Sequence, residues 1–243
     1  MGTGDWLFDL GNSRLKMAPL AAGQVGTVEA RSHDRIDWLE ALPGGGTAWV
    51  CDVARDELSR PFRDALAARF GRVEVARSRA SFGGVRVAYP HPERLGIDRV
   101  LAMVGARAFG DGPWLVAGVG TALTLDLLAA DGTHRGGRIA PSPDLMRAML
   151  HARAPHLPAS GGSYAEFADD TADALASGCE GAAIALVERS LEQARMVLGQ
   201  DASAMLHGGG ADALASRLAG ATVVPALVLQ GLAAWANAGG GSG

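Results

Sequence analysis

Cysteine is scarce in this chain: Cys51 and Cys179 are the two among 243 residues, and they stand far apart in sequence. That excludes a disulfide-stapled scaffold and a cysteine-rich metal site, and the pair reads as reduced core residues. Aromatic residues are also few, at 5%. No apolar run approaches the roughly 18 uninterrupted residues of a membrane span, so no membrane association is expected. Basic blocks are absent and the formal net charge is -4, which leaves no electrostatic footprint for nucleic acid. Met1 to Phe8 include Asp5 and lack a basic stretch followed by an apolar run. No signal peptide is therefore expected, and the chain reads as cytoplasmic.

What is plentiful is glycine, with 34 residues, against a background that is 48% hydrophobic. Many of these glycines end apolar runs, the pattern of tight turns where backbone approaches a ligand. Trp6 to Leu10 reads as a strand ending in Asp9-Leu10-Gly11-Asn12-Ser13, followed by strands Arg14 to Leu20 and Gln24 to Arg31. Arg35 to Leu42 has helical spacing, and Thr47 to Val53 reads as a buried strand. Arg55 to Phe70 reads as a helix with Leu58, Phe62, Leu66 and Phe70 on one face, and Arg72 to Ala76 as a strand.

Much of this order returns after Gly112. Trp114 to Val119 reads as a buried strand ending in Gly118-Val119-Gly120-Thr121-Ala122, followed by strands Leu123 to Ala129 and His134 to Ala140 and a helix Asp144 to Leu150. After a long insert carrying a helix over Thr171 to Leu198, closed by Gly199, come a strand Ala204 to His207, a helix Ala211 to Leu218 and a strand Thr222 to Val224. The pattern predicts an internal duplication of α/β architecture with a central cleft. The halves are drawn at 1–112 and 113–238, joined by a helix from Glu93 to Phe109, with a flexible tail at 239–243. The segment Pro155 to Asp170 reads as a mobile cover or a plain loop.

Two small-residue turns, one per half, suit a nucleoside triphosphate. Asp9 adds a carboxylate for metal-bound water, and Asn12, Ser13 and Lys16 add donors. Gly118, Gly120 and Thr121 make the second cradle, with Asp126 on the strand that follows, and Gly208-Gly209-Gly210 permits flat approach of an adenosine. In Leu95-Gly96-Ile97-Asp98-Arg99, Asp98 gains from a helix N-terminus and is placed to accept a proton from a hydroxyl. Arg99 offers a fork for a substrate carboxylate, and Tyr89 a hydroxyl and a ring.

In order along the chain stand Asp9-x-Gly11-Asn12-Ser13-x-x-Lys16, Leu95-Gly96-x-Asp98-Arg99, Gly120-Thr121-Ala122-x-Thr124-x-Asp126, Gly136-Gly137-x-Ile139-x-Pro141, Thr171-x-x-Ala174 with Ser177-Gly178, and Gly208-Gly209 with Asp212-Ala213. Together they resemble the type III pantothenate kinases. The resemblance implies an α/β fold of two duplicated RNase H-like halves, of the acetate and sugar kinase and actin type. It also implies a homodimer that uses Mg2+ with ATP and a monovalent cation (K+ or NH4+). The implied reaction moves the ATP γ-phosphate to the primary hydroxyl of pantothenate, the first step toward coenzyme A. By position, Asp98 is the implied general base. Tyr89, Gly96 and Arg99 are the implied pantothenate contacts, with Thr171 reaching the pantothenate site of the partner subunit. Asp9, Leu10, Gly11, Asn12, Ser13, Arg14, Leu15, Lys16, Gly120 and Thr121 are the implied ATP contacts.

The chain departs from the family pattern at Gly118, where an acid is usual, at Asp170 for Asn, and at His207 for Thr. Gly118 bears on the cation: if the missing carboxylate matters, Gly118→Asp is expected to raise activity or strengthen potassium dependence, and no change in either would show a site rebuilt another way. His207 reads as a loop residue. Two other readings stand beside the kinase: a non-catalytic transcription accessory or regulatory protein on the same fold, and a kinase for another small hydroxy acid.

Overall fold

The computed structural model describes residues 4–32 and 36–240. The start of the helical reading at Arg35 and the end of the tail, Gly241 to Gly243, lie outside the described residues. In chain order the elements are β1 (Asp5–Leu10), β2 (Leu15–Ala21), β3 (Gln24–Val25), β4 (Glu29–Arg31), β5 (Thr47–Asp52), α1 (Asp56–Arg69), β6 (Arg72–Val75), β7 (Ser81–Phe82), β8 (Val85–Arg86) and α2 (Ile97–Arg107). There follow β9 (Trp114–Val119), β10 (Ala122–Leu128), β11 (His134–Pro141), α3 (Pro143–Arg153), α4 (Thr171–Leu198), β12 (Ser203–His207), α5 (Ala211–Ala215), β13 (Thr222–Val223) and α6 (Leu227–Asn237). The third predicted strand splits into β3 and β4, and the Arg35 to Leu42 reading becomes a 3-10 turn over Asp37–Ala41. The predicted joining helix starts later, at Ile97, after a separate 3-10 turn over Pro92–Arg94.

Two compact units result. The first holds the described residues up to Gly112, Ala130–Gly136 and those from Ala226 onward; the second holds Pro113–Ala129 and Gly137–Pro225. The sequence reading runs the second half to 238, whereas α6 packs on α2 and on β1, β3 and β5 of the first unit.

The main sheets share one strand order. In the first unit it is β3-β2-β1-β5-β6, with β4 also on β2; in the second it is β11-β10-β9-β12-β13. In each, a central strand pairs antiparallel with the strand after it and parallel with a later one. That is the duplication the turn motifs predict.

Strand alternation decides which residues reach the sites. In β1, Phe8 and Leu10 join Ala48 and Val50 of β5 in a core that includes Phe62 and Leu66 of α1. Phe8 meets Phe62 and Phe70 edge-on, at centroid distances of 5.6 and 5.7 Å. Leu7 and Asp9 therefore face the other way, beside their ladder partners Trp49 and Cys51. This is the face served by α6, whose Trp235 packs edge-on against Trp49 at 5.3 Å. In the second unit, Leu115, Ala117, Val119, Leu123, Leu125, Ala204 and Leu206 form a core with Ala183, Ile184 and Val187 of α4. Gly118, Thr124, Asp126 and His207 lie on the opposite face by the same alternation.

Candidate functional site

The first unit brings Asp9 and Asp98 together. Asp9 stands in the sheet between Lys16 of β2 and Cys51 of β5, its partners in register. Burial raises the Asp9 carboxyl from its ordinary 3.8 to about 6, the Asp98 charge adds to this, and Lys16 and a hydrogen bond from the Cys51 thiol oppose it. The Cys51 thiol is itself pushed well up, first by burial and then by the Asp9 charge. Two carboxylates near one another in a partly dry site form a centre that gains from a cation or a proton.

The raised Asp9 pKa has a consequence for stability. Between about pH 4 and 6 the folded chain holds a proton there that the unfolded chain has released. The stabilisation is full below the unfolded value and is lost as pH rises through about 6. Asp9→Asn is expected to make the unligated protein more stable than the wild type at pH 7.5, by about 2–3 kcal/mol, and by only about a third of that at pH 4.5. Urea midpoints of the two proteins at both pH values check this.

Asp98 lies in the first turn of α2, behind Gly96 at the cap position. A Cβ at Gly96 would stand 2.5 Å from Asp98 Oδ1, so glycine there clears the carboxylate. Arg99 is buried at 7% exposure, and its Nη1 donates to the Tyr89 hydroxyl at 3.4 Å. The Tyr89 ring stacks on His134, at 6.0 Å between centroids, and His134 Nδ1 accepts from the Ala88 N–H at 3.4 Å. The pair Arg99 and Tyr89 thus has a buried support beneath it, which the sequence motifs did not point to.

In the β1–β2 turn the Gly11 N–H closes the hairpin on the Arg14 carbonyl at 3.2 Å. Asn12 Nδ2 donates to the Val53 carbonyl at 3.2 Å, tying the turn to the chain leaving β5. Leu10 and Leu15 are core side chains at 1% and 2% exposure, so only their main chain is available to a nucleotide. Ser13 and Arg14 are exposed, and Lys16 is half-buried beside Asp9.

In the second unit the β9–β10 turn is built alike: the Gly120 N–H closes on the Ala122 carbonyl at 3.0 Å. Thr121 is exposed, and its carbonyl accepts from Ser142 Oγ at 3.0 Å. Ser142 is buried, caps α3 and accepts from the Leu145 N–H at 3.2 Å. No motif signalled Ser142. The Gly208–Gly210 turn folds onto the same strand, with the Gly210 N–H on the Val119 carbonyl at 3.1 Å. Thr171 is exposed at the start of α4. Asp170 caps that helix through Ala172 N and Asp173 N, at 2.8 and 3.3 Å, a role Asn and Asp share. The segment before it is pinned rather than loose, with Ser163 N on Asp173 Oδ1 at 2.7 Å and Ala165 N on Ser177 Oγ at 2.8 Å.

The family model for type III pantothenate kinases matches residues 6–193. The chain belongs to the type III pantothenate kinase family. A type III pantothenate kinase from Stenotrophomonas maltophilia is 55% identical over 236 residues, 96% of this chain and 97% of that protein. Among solved structures, a Baf family transcriptional activator from Campylobacter jejuni matches with a TM-score of 0.65 at 19% identity, covering 96% of this chain and 98% of that one. An N-acetylmannosamine kinase from Listeria monocytogenes matches with a TM-score of 0.52 at 12% identity, covering 98% and 100%. At such identities the two structures establish the fold alone, that of the acetate and sugar kinase and actin type.

A magnesium ion brought by a nucleotide would keep most of its water and need one or two carboxylates, a need that Asp9 would fit. A monovalent cation prefers a shell of oxygens. At the family's acid position this chain has Gly118, and a Cβ there would stand 2.7 Å from Thr124 Oγ1 and 3.0 Å from His207 Nε2. A carboxylate restored at 118 therefore needs its neighbours to move. Thr124 and His207 border the space such a side chain needs, so Gly118→Asp alone requires both side chains to shift.

Proposed function

We infer that this chain transfers the ATP γ-phosphate to the primary hydroxyl of pantothenate. The observation that carries the reading is the Asp98-Arg99 pair at the start of α2, with Asp9 close enough for its charge to be felt. Membership of the family supports the choice of substrates. The substrate hydroxyl oxygen bonds to the γ-phosphorus, its proton passes to the Asp98 carboxylate, and the bond from the γ-phosphorus to the bridging oxygen breaks, so that ADP leaves with that oxygen and its electron pair. The Arg99 guanidinium, steadied by Tyr89, holds the pantothenate carboxylate, and Gly96 leaves room for Asp98. Asp9 through Lys16 are proposed to serve the phosphates and their magnesium, and Gly120 and Thr121 are proposed as further ATP contacts.

A homodimer is part of the proposal. Phe167, Ile139 and Met149 of the second unit are 99%, 67% and 53% exposed, large apolar side chains that a subunit contact would cover. Thr171 lies at the head of α4 in this unit and is the residue proposed to reach the partner subunit's pantothenate. Both cysteines are free and buried, which suits a reducing cytoplasm. Among the described residues no helix is long and apolar enough to cross a membrane.

The test compares acceptors. With pantothenate, Arg99→Lys keeps the charge and loses the planar fork, so KM is expected to rise about tenfold or more with kcat less affected. With an analogue in which an alcohol replaces the carboxylate, wild type and Arg99→Lys are expected to be equally poor. Equal KM values for pantothenate in both proteins would remove Arg99 from the carboxylate site. Turnover of other hydroxy acids in preference to pantothenate would move the proposal to that substrate.

A further inference from the structure

Three strands of the second unit place Thr124, Gly118 and His207 side by side. Thr124 of β10 pairs with Gly118 of β9, and Gly118 pairs with His207 of β12. All three sit two residues or fewer from a turn: Gly118 before Gly120, Thr124 after Ala122, His207 before Gly208. The volume a side chain at 118 would fill is bounded by Thr124 Oγ1 at 2.7 Å and by His207 Nε2 and Cε1 at 3.0 and 3.2 Å from the position of a Cβ. The strand backbone on the far side is fixed, since Gly208 (φ 97°) would bring a Cβ to 2.3 Å from the Val119 carbonyl. The imidazole stands at the foot of the Gly120-Thr121 turn, and two departures from the family pattern, Gly118 and His207, meet in a single space.

We propose that this kinase works without a monovalent cation, with His207 as a fixed positioning group where related sites hold an ion against a carboxylate. The inference rests on the kinase reading above. Its chemistry is that of ligand preference. An alkali cation is held by oxygens, ideally several with one anionic among them, and imidazole nitrogen prefers softer metals. Here the row next to the turn offers a hydroxyl and a ring nitrogen and no carboxylate. The carboxylate nearest in register is Asp126, buried one row further along β10, opposite Val116. A ring nitrogen fixed by the fold needs no exchangeable ion and makes the turn's geometry independent of which salt is present.

The test measures phosphopantothenate formation with saturating ATP and magnesium at constant ionic strength, in chlorides of K+, NH4+, Na+ or tetramethylammonium. Rates in the four salts are expected to agree within about twofold, and activation by K+ or NH4+ of about tenfold or more would overturn the proposal. A second readout does not depend on turnover: with ATP bound, the melting temperature is expected to be the same in K+ and tetramethylammonium, and specific stabilisation by K+ would count against it. The double variant Gly118→Asp with His207→Thr is expected to acquire potassium activation, whereas Gly118→Asp alone is not. If the double variant does not fold, the wild-type salt comparison still decides. Absence of product in every salt would contradict the kinase reading itself, and activity that needs K+ would contradict this inference alone.

Discussion

Asp98→Asn is expected to lower kcat for phosphoryl transfer to pantothenate by about 100- to 10,000-fold, the usual worth of a positioned proton acceptor. The substitution keeps shape and removes the proton-accepting charge at this position, so KM for both substrates is expected to change little. It also removes the second cause of the raised Asp9 pKa, so Asp9 is expected to ionise at lower pH in the variant. The urea-midpoint comparison at pH 4.5 and 7.5 then shows a shallower slope than in the wild type. A variant that keeps its rate would mean that another group takes the proton. A variant that loses its rate and its cooperative unfolding together would point to a structural role for Asp98 instead. The helix N-terminus loses a favourable anion worth about 0.3–1 kcal/mol, and relief of the repulsion with Asp9 offsets part of that.

The largest stability effect is expected at Gly231, well outside every motif. A Cβ at Gly231 of α6 would stand 1.9 Å from the Leu101 carbonyl oxygen of α2, and one at Gly105 of α2 would stand 2.3 Å from the Leu227 carbonyl oxygen of α6. The two helices touch backbone to backbone at this crossing. Gly231→Ala pushes them apart, and overpacking of this kind costs about 3 kcal/mol. For a chain of this length that is a fall in melting temperature of roughly 6–12 °C, read by calorimetry. Because α2 carries Asp98 and Arg99 at its start, kcat and the KM for pantothenate are expected to worsen together at temperatures where the variant is still folded. A variant with wild-type melting would show that the crossing relaxes without strain.

Some of this architecture was legible in the residues. Helix α4 and strand β9 begin and end where the periodic apolar positions and Gly199 say they should, because a long amphipathic helix and a buried strand each carry a strong repeat. Gly199 takes the left-handed φ of 69° that a helix end of this type requires. Helix α6 was not legible. Leu227, Val228, Leu229, Leu232, Ala233 and Trp235 are all buried, and the outward stripe is narrow, with apolar Ala234 between half-buried Gln230 and exposed Asn237, so a periodic signal has little polar contrast to register. The β7–β8 hairpin has two residues per strand, too few for alternation to register. The joining helix was drawn from Glu93, but Gly96 stands at its cap and Pro92 starts a separate 3-10 turn, so the α-helix begins at Ile97.

The site divides the same way. Asp9, Gly96, Asp98 and Arg99 lie in short local motifs, so the sequence points to them directly as candidates. Cys51 beside Asp9, His134 beneath Tyr89, and Ser142 on the Thr121 carbonyl arise from strand register and loop closure between residues distant in sequence. No spacing rule in one sequence reaches across such distances. The pairing of Gly118 with His207 is of this kind: each looks like an isolated departure until β9 and β12 are set in register.

The most direct measurement of the central claim follows the phosphoryl group itself. Purified protein is incubated with pantothenate, magnesium and ATP carrying heavy oxygen on its γ-phosphate, and the products are weighed by mass spectrometry beside those of Asp98→Asn. Phosphopantothenate that carries the full γ-label, formed by the wild type and nearly absent with the variant, is the predicted result. Unlabelled pantothenate and intact ATP after prolonged incubation with the folded wild type would contradict the account.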